Sequence, residues 1–430
     1  MSALVALSLV LLNNLDAPVK PSRTEIVTPI RNSSFNKGGT AKKRMQGGNP
    51  RFVDGDLLFD GSSDGDRQVD PQIAVGGGYV LHGTNSGIII YGKDGQYVDG
   101  VPQREFNDGI DPKLFFDATN RFFCFDLWVY WDQPKVKPVN IAASETADPR
   151  GAWNIYPVSA SQGVDGGGIG YSRKWIGYSF PGGPEQTFVM RSAEVKSGKP
   201  ATVYHFSGNL GQPVHTQDRR DDLVFVNLTD REIVLTTVGA DRGGDPVIKR
   251  VVRAPHGFLH FGWPPAAPMK GTDLRTSSGD RNPKNLVIQS GHLWFSQTVN
   301  IQGRAGIQWH EVTLDGKFVQ SGSLSHPTRS YIQTTLAVNK DRDVLVGFQE
   351  TGPDMFVSAR YAWRKATDAP GTLRPIRNLA EGLAATKGGP WGDYSGSTVD
   401  GDNKTDLWTI QSVATSKGTG GTVIARVRPR

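Results

Sequence analysis

The last strongly patterned stretch of the chain lacks one strand, and this shortage constrains the fold. Residues 391–411 contain two alternating strand segments around a Gly/Asp turn, in the order W-G-D-Y-S-G-S-T-V-D-G-D-N-K-T-D-L-W-T-I-Q. Only Thr422–Arg428 follows to make a third strand. The nearest source of a fourth strand is the beginning of the folded part, and we expect Arg51–Phe59 to supply it. The sequence therefore predicts a closed ring of sheets.

About six earlier units show the same succession of strand, Asp/Asn/Gly turn and richer strand, beginning roughly 40–70 residues apart. The 52 Gly and 27 Pro favour many short strands joined by tight turns. Arg377–Lys387 is the best candidate for a short helix. Together these patterns predict an all-β, seven-bladed β-propeller closed by an N-terminal strand. Six or eight blades, and a tandem of β-sandwiches, remain as alternatives.

The net charge of +6 belongs to the beginning of the chain. Residues 1–51 contain eight basic and two acidic side chains, so that residues 52–430 are formally neutral. A neutral body lacks the basic surface that nucleic-acid binding requires. We therefore expect no nucleic-acid partner.

The first 50 residues indicate export. Ala3–Leu12 is an apolar run too short to span a bilayer, and Leu15–Ala17 offers a small-residue cleavage site. The sequence predicts a signal peptide over residues 1–17, a disordered basic linker over 18–50 and the propeller over 51–430. No transmembrane segment is expected. The mature protein would be a monomer, either secreted or located in the periplasm or at the cell surface.

Polar residues at the starts of the units should meet at one mouth of the axial channel, because each unit begins with its innermost strand. We expect four of them to bind substrate: Asp70, Asp111, Gln333 and Tyr394. The alternative for Asp70 and Asp111 is that each Asp-Pro pair caps a turn before a strand.

Two short clusters carry groups suited to acid–base chemistry. The first contains His215 and Arg219, and the second contains Arg329 and Tyr331. A Tyr/His acid–base pair with an Arg that neutralises a carboxylate is the set of groups a polysaccharide lyase uses. His82, in the middle of an apolar strand, is a further catalytic candidate. The alternatives are ion-paired surface loops for the clusters and a buried core position for His82.

Two loops suggest ligands of other kinds. Trp263 is followed by two prolines, which favours an exposed aromatic platform for sugar rings or packing over a blade edge. Asp400, Asp402 and Asp406 are spaced along a Gly turn, so their oxygens could surround Ca²⁺. This turn resembles the calcium loop of FG-GAP propeller repeats, although Thr398 and Asn403 stand where that family has Asp and Gly. A plain Asp-rich hairpin turn is the alternative, and no cofactor is required.

Three segments resemble secreted bacterial sialidase-like propeller proteins: D-P-Q-I-A-V-G-G-G-Y-V (70–80), T-A-D-P-R-G-A-W (146–153) and W-G-D-Y-S-G…D-L-W-T-I-Q (391–411). The resemblance implies blade architecture. The S-x-D-x-G-x-T-W boxes of sialidases are absent, so no catalytic residue carries over. The sequence thus predicts a polysaccharide lyase or glycoside hydrolase that acts on an acidic extracellular polysaccharide at the channel mouth. The alternative is a non-catalytic propeller that binds a glycan or a protein at the cell surface.

Overall fold

The computed structural model describes residues 17–33, 47–62, 70–128, 138–160, 166–180, 187–258, 262–388 and 391–430, together with the backbone of 11–13. Within these residues the chain folds almost entirely into antiparallel strands, with one α-helix, Ser192–Ser197, and one 3₁₀ turn, Gln103–Phe106. The strands form successive antiparallel units, each in contact with the next. The predicted all-β propeller architecture is confirmed.

The first three units follow one another along the chain. The first contains Gln72–Gly76, Tyr79–Thr84, Gly87–Gly92 and Tyr97–Pro102. The second contains Ile110–Asp117, Phe122–Trp128, Val139–Ser144 and Trp153–Val158. The third contains Gly168–Tyr171, Trp175–Ser179, Thr187–Arg191 and Ala201–Phe206.

The next two units are linked to the third through a short strand. The fourth unit contains Gln212–Pro213, Leu223–Leu228, Glu232–Ala240 and Pro246–Pro255. The fifth contains Lys284–Gln289, His292–Ile301, Arg304–Thr313 and Phe318–Leu324. His215–Thr216 pairs in parallel with the first strands of both the third and the fifth units, so the innermost strands are bridged at this point.

The remaining strands complete the ring and add one hairpin. The sixth unit contains Ser330–Val338, Val344–Gly352, Met355–Arg364 and Arg377–Ala380, so the helix expected over 377–387 is not formed. The seventh contains Gly396–Val399, Leu407–Ala414 and Gly420–Val427. A separate hairpin is formed by Ala267–Met269 and Thr272–Thr276.

The seventh unit is completed by the N-terminal part of the chain, as predicted. Asp56–Asp60 pairs antiparallel with Gly420–Val427, and Gly48–Val53 adds a further outer strand. The segment predicted as one strand is thus a hairpin that turns at Asp54 and Gly55. Apolar packing closes the ring together with these hydrogen bonds. Phe59 and Trp408 are fully buried in one cluster with residues of the first unit. Burying side chains of this size contributes about 1.5–3 kcal/mol each.

Seven hydrophobic clusters lie between neighbouring units in the described part of the chain, including the pair formed by the seventh and the first. Each sheet therefore buries its faces against its neighbours, which requires a closed ring. How deeply a strand is buried depends on its place in the unit, from the innermost strand to the outermost. Ser330–Val338, a first strand, is buried along its whole length, whereas Phe318–Leu324, an outer strand, alternates between more and less exposed residues.

An N-terminal arm, residues 17–33, runs around the outside of the ring. Val19 pairs with Ile248 of the fourth unit, Arg23–Val27 pairs with the third unit, and Ile30–Asn32 pairs with the second. The prediction of a disordered linker over 18–50 is therefore wrong for 18–33 and 47–50, because the outer strands offer unpaired backbone groups that a polar segment can satisfy. Residues 34–46 lie outside the described residues.

The predicted signal peptide is only partly covered. Leu11–Asn13 pairs with Pro246–Pro255 of the fourth unit, and the rest of the segment before Ala17 lies outside the described residues. The signal peptide stays a prediction. Within the described ranges, no helix is both long enough and apolar enough to cross a membrane.

Candidate functional site

A polar cavity of about 520 Å³ opens at the end of the ring where the first strands of the units begin. Six of the seven units contribute to its wall, which is the convergence expected of a channel mouth. Its ionisable lining residues are Asp111, Lys113, His215, Asp280, Lys284, Asp393 and Tyr394. Its amide residues are Gln72, Gln212, Asn282 and Asn285. Asp111, Tyr394 and His215 are therefore the sequence-predicted residues that the structure brings together here.

Irregular strand starts position several polar residues at this end of the ring. Asp111, Asn285 and Gln333 each lie at a register shift near the start of a first strand, with φ angles of 57°, 53° and 50°. This left-handed conformation is uncommon for residues other than glycine and carries a conformational cost. A bulge at this point changes the direction of the side chain. Three units thus use the same local distortion at the mouth.

Asp70 lies behind the cavity and connects two of its carboxylates. Its side chain is only 2% exposed. One carboxyl oxygen accepts a hydrogen bond of 2.6 Å from the backbone N–H of Asp393, and the other accepts one of 3.1 Å from the Asn85 amide. Asn85 in turn accepts a hydrogen bond of 2.8 Å from the backbone N–H of Asp111. Asp70 therefore holds the backbone at both lining carboxylates, which corrects its predicted role as a residue that contacts substrate.

The Asp70 carboxyl is poised to change charge near neutral pH. Burial, and then the neighbouring Asp111 carboxylate, raise the pKa of Asp70 to about 7. The hydrogen bond from Asp393 and the ammonium of Lys113 act in the opposite direction. Desolvation dominates because a buried carboxylate loses its hydration.

Tyr394 makes contact with two charged groups at the mouth. Its hydroxyl donates a hydrogen bond of 3.2 Å to Oδ1 of Asp111. The Nζ atom of Lys113 lies 3.1 Å from the centre of the Tyr394 ring, a close cation–π contact. Burial and the nearby Asp111 raise the pKa of the Tyr394 hydroxyl well above its ordinary value, so it remains a hydrogen-bond donor. Tyr394 therefore contacts both Asp111 and Lys113 at the mouth.

Sequence reasoning missed Lys113 and Asp126. Lys113 follows Asp111 by two residues in D-P-K, and both line the cavity although the strand is irregular between Ile110 and Lys113. Burial lowers the pKa of Lys113, and burial raises the pKa of Asp126 to about 7 against the opposing effect of the Lys113 ammonium. Asp126 also accepts a hydrogen bond of 3.1 Å from the backbone N–H of Lys113. These two residues add a second ionisable layer beneath the mouth.

Aromatic rings pack against His215 in the wall of the cavity. Phe115 and Tyr171 stack with their centres 4.3 Å apart, and His215 lies within 6 Å of both rings. Nε2 of His215 is 2.9 Å from the backbone oxygen of Ile169, so that this nitrogen carries the proton. Burial lowers the pKa of His215 to about 4, which leaves the ring neutral at physiological pH.

Arg219 does not join His215, which corrects the first predicted cluster. The first strand of the fourth unit is so short that the chain reaches its first turn within a few residues. Arg219 is exposed in that turn, at the end of the ring opposite the mouth. Asp218 beside it accepts hydrogen bonds of 2.8 and 2.7 Å from the backbone N–H groups of Ser290 and Gly291 in the fifth unit. The segment that contains Asp218 and Arg219 therefore connects a turn of the fourth unit to a turn of the fifth unit.

The second predicted cluster is also separate from the cavity. Arg329 is held by Glu350 at 3.1 Å and by Asp354 at 2.8 Å. Tyr331 is buried against Phe348, with ring centres 5.1 Å apart, and burial raises its pKa to about 12. The proposed lyase set of His215, Tyr331 and two arginines is therefore not assembled.

His82 occupies the core between the seventh and first units, which corrects its candidacy as a catalytic residue. It is completely buried, and its ring is parallel to that of Tyr91 with centres 6.5 Å apart. Neither ring nitrogen has a hydrogen-bond partner among the described residues. Burial lowers the pKa of His82 to about 3, so it is neutral.

Gln333 and Trp263 lie near the mouth but outside the cavity wall. Gln333 is buried and donates its side-chain amide to the backbone oxygen of Gly392, so it holds the segment that carries Asp393. Trp263 is 60% exposed, and the guanidinium carbon of Arg281 is 5.3 Å from the centre of a Trp263 ring. The Trp263 ring is therefore exposed, and its role as a platform for sugar rings stays a prediction.

The acidic loop at the opposite end holds cations from the protein itself. Lys93 Nζ contacts Asp400 and Asp402, both at 2.6 Å, and Arg121 contacts Asp402 at 2.6 Å. Asp406 instead pairs with Arg428 at 3.1 Å. Among the described residues, no group of three or more His, Cys, Asp or Glu side chains is arranged to hold a metal ion. Calcium binding here stays a prediction, and it requires displacement of an ammonium group.

Comparison with known proteins identifies no family. No family model and no curated protein matches the chain. A solved structure of a protein of unknown function from Dyadobacter fermentans is similar with a TM-score of 0.40 and 11% identity, covering 95% of this chain and 99% of that one. A putative TolB from Agrobacterium tumefaciens gives 0.34 and 9%, covering 94% and 100%. An endo-arabinase from Bacteroides thetaiotaomicron gives 0.26 and 12%, covering 63% and 96%.

Proposed function

We propose that the mouth of the ring hydrolyses a glycosidic bond, with Asp111 and Asp393 as the two carboxyl groups that act on the substrate. The observation that carries this proposal is the link through Asp70 and Asn85, which fixes the backbone at both lining carboxylates. Glycoside hydrolases generally use such a pair, one group donating a proton to the leaving oxygen and the other assisting attack at the anomeric carbon.

The surroundings of Asp111 support one of the two roles, and the other role is assigned to Asp393. The Tyr394 hydroxyl donates a hydrogen bond to Asp111, whose carboxyl group is the acceptor. Asp111 is therefore the base or nucleophile. Asp393 is the proton donor to the leaving oxygen. The water molecule that is consumed supplies a hydroxyl to the anomeric carbon, and its proton restores Asp393, directly when Asp111 is the nucleophile and through Asp111 and solvent when Asp111 is the base.

The charge of the cavity supports a neutral glycan. Three carboxylates line it, from Asp111, Asp280 and Asp393, against the ammonium groups of Lys113 and Lys284. Lys284 is already paired with Asp280 at 3.3 Å. An acidic polysaccharide would need free cations there, and neither Arg219 nor Arg329 lies in the cavity wall. Four lining amides offer donors and acceptors for uncharged hydroxyl groups.

Hydrolysis of neutral polysaccharides, measured by release of reducing ends, tests the proposal. Replacing either carboxyl group, in Asp111→Asn or Asp393→Asn, should lower kcat by about 10²–10⁴-fold, the usual contribution of a positioned acid or base. Export, which Ala3–Leu12 predicts, would bring the site to extracellular glycans and is part of the proposal.

Two glycines provide a matched test of location. A Cβ atom at Gly168, in the cavity wall, or at Gly257, outside it, would meet no atom within 4 Å, and neither residue has a positive φ. Gly168→Tyr should therefore block the cavity without strain, while Gly257→Tyr should leave turnover unchanged. Equal turnover in both variants would place the reaction elsewhere. Binding of a glycan without turnover, abolished by Gly168→Tyr, would instead support the non-catalytic alternative.

A further inference from the structure

A second cavity opens from the mouth and extends outward between the third and fourth units. Its volume is about 140 Å³, and it shares Gly166, Gln212 and Asn282 with the wall of the first cavity. The two spaces therefore form one cleft. A volume of this size exceeds that of a few water molecules and suits about one sugar ring.

The second cavity differs from the mouth in charge. Its polar lining side chains are Ser179, Asn209, Gln212, Asn227 and Asn282, and its apolar ones are Phe180, Val226, Leu228 and Pro283. Among the described residues no ionisable side chain lines it, so a ligand group that enters need not bring a charge. Neutral amides beside an aromatic and aliphatic wall fit a sugar ring, whose edge is polar and whose faces are apolar.

Two of the amides are not used to hold the fold. Asn209 accepts a hydrogen bond of 2.8 Å from the backbone N–H of Gly211 and so has a structural task. The side chains of Asn227 and Asn282, by contrast, make no hydrogen bond with any other residue in the described ranges. Both are therefore open to a ligand in the cavity, and both can be changed without loss of a structural contact.

The path continues toward an exposed aromatic ring. Asn282 follows Arg281, which pairs with Asp230 at 2.6 Å and lies against the Trp263 ring. Arg281 thus connects the Trp263 ring with the chain segment that lines the second cavity. Aromatic rings at such an edge stack against the apolar faces of sugars.

We propose that the second cavity is a subsite for a neutral sugar unit next to the bond that is cleaved, and that Trp263 receives the following unit. The substrate is accordingly an oligosaccharide or polysaccharide of neutral sugars, and a single monosaccharide occupies only the mouth. This inference rests on the proposed function of the mouth and adds the chain length and charge of its substrate.

Binding to a series of neutral oligosaccharides from one to four units, including gluco-, xylo- and arabino-oligosaccharides, tests the proposal. For the series that binds, affinity should rise at least tenfold from one to three units. Asn227→Ala should weaken binding of the trimer by about three- to tenfold, as expected for loss of one hydrogen bond, and leave binding of the monosaccharide unchanged. Asn227→Trp, which fills the cavity, should reduce the affinity for the trimer to that for the monosaccharide.

The outcomes separate this inference from the function on which it rests. Affinity that does not depend on chain length, or an Asn227→Ala variant that binds the trimer normally, overturns the subsite while the mouth keeps its role. Preference for an acidic over a neutral trimer overturns the predicted charge. Failure of every glycan to bind overturns both proposals. Gly257→Tyr serves as the folded control, and circular dichroism checks that the Asn227 variants fold.

Discussion

The backbone N–H of Asp393 donates a hydrogen bond of 2.6 Å to the carboxyl group of Asp70, although 323 residues separate them in the sequence. Asp393 precedes the first strand of the seventh unit, and Asp70 precedes the first strand of the first unit. The hydrogen bond therefore crosses the point at which the ring closes. The candidate site and ring closure consequently depend on each other.

Removing the Asp70 carboxyl should impair turnover more than binding. The wild-type rate should change near pH 7, where the Asp70 carboxyl ionises. Asp70→Asn keeps the size of the side chain but cannot ionise, so this change in rate should disappear. The value of kcat should fall, with KM little changed, because Asp70 positions Asp111 and Asp393 and does not contact substrate. The pH profile of kcat measures this. A profile that keeps its transition near pH 7 in Asp70→Asn would assign that transition to another group.

Ionisation of Asp126 should make the protein less stable as the pH rises. The folded state holds the Asp126 proton up to about pH 7, whereas the unfolded state releases it near pH 4. Between these values the folded state binds more protons, so stability falls with increasing pH and levels off above pH 7. Asp126→Asn should reduce this slope, leaving the part that the buried Asp70 carboxyl contributes, and should keep the acceptor for the Lys113 N–H. Urea unfolding from pH 4.5 to 8 measures the difference.

The exposed Asp273, in the hairpin, provides the control for this measurement. Asp273→Asn should follow the wild-type slope, because its side chain is already in water. The buried histidines contribute equally to the wild type and to both variants, so they cancel in the comparison. Parallel curves for Asp126→Asn and the wild type would contradict the buried, protonated state of Asp126.

His82→Leu should fold normally and keep full turnover. The buried imidazole has no hydrogen-bond partner among the described residues, and an apolar side chain removes that unsatisfied group, which costs about 1–3 kcal/mol. Because burial lowers the pKa of His82 to about 3, the contribution of His82 to stability becomes less favourable as the pH falls from 6.5 to 3, so the variant should gain stability relative to the wild type at low pH. Thermal melts at pH 5 and 7 measure this. A folded variant without turnover would restore a catalytic role for His82.

The ring and part of its mouth could be predicted from the sequence because both follow from local pattern. The missing strand after Thr422–Arg428 pointed to the N-terminal segment, and the unit starts pointed to Asp111 and Tyr394. The link from Asp70 through Asn85 could not be predicted, because it depends on side chains that meet only across the closed ring. The burial of Lys113, which lines the cavity, and of Asp126, which accepts a hydrogen bond from the Lys113 backbone, likewise could not be predicted, because no spacing reveals it.

Two failures have clear physical reasons. Arg219 was expected at the mouth because it follows His215 closely, but the innermost strand of the fourth unit is short and the chain has already reached the opposite end. The N-terminal arm was expected to be disordered because residues 18–50 are polar, basic and rich in glycine. Edge strands pair through their backbones, so composition says little about a segment that adds to an existing sheet.

Deleting residues 1–33 should lower the melting temperature and increase aggregation without opening the ring. This deletion removes the arm strands and uncovers the outer edges of the second and third units, which then offer unpaired backbone groups. Deleting residues 1–60 should abolish the cooperative transition, because it also removes Asp56–Asp60 from the seventh unit. Thermal melts with light scattering distinguish the two. An unchanged melting temperature after the shorter deletion would show that the arm adds no stability.

Lys93 should decide whether the acidic loop binds calcium. Lys93→Met leaves the buried Asp400 carboxylate without its ammonium partner, and we expect a loss of about 2 kcal/mol, below the roughly 3–5 kcal/mol of fully buried pairs because Lys93 keeps some contact with water. Added Ca²⁺ should then recover part of the melting temperature of Lys93→Met, since two carboxylates face one position. The exposed pair of Lys340 and Asp341 provides the control. Lys340→Met should keep the stability of the wild type, and added Ca²⁺ should not raise its melting temperature. If Ca²⁺ raised the melting temperature of the wild type as much as that of Lys93→Met, the ion would be able to displace the Lys93 ammonium group. The loop would then bind calcium as its sequence predicts.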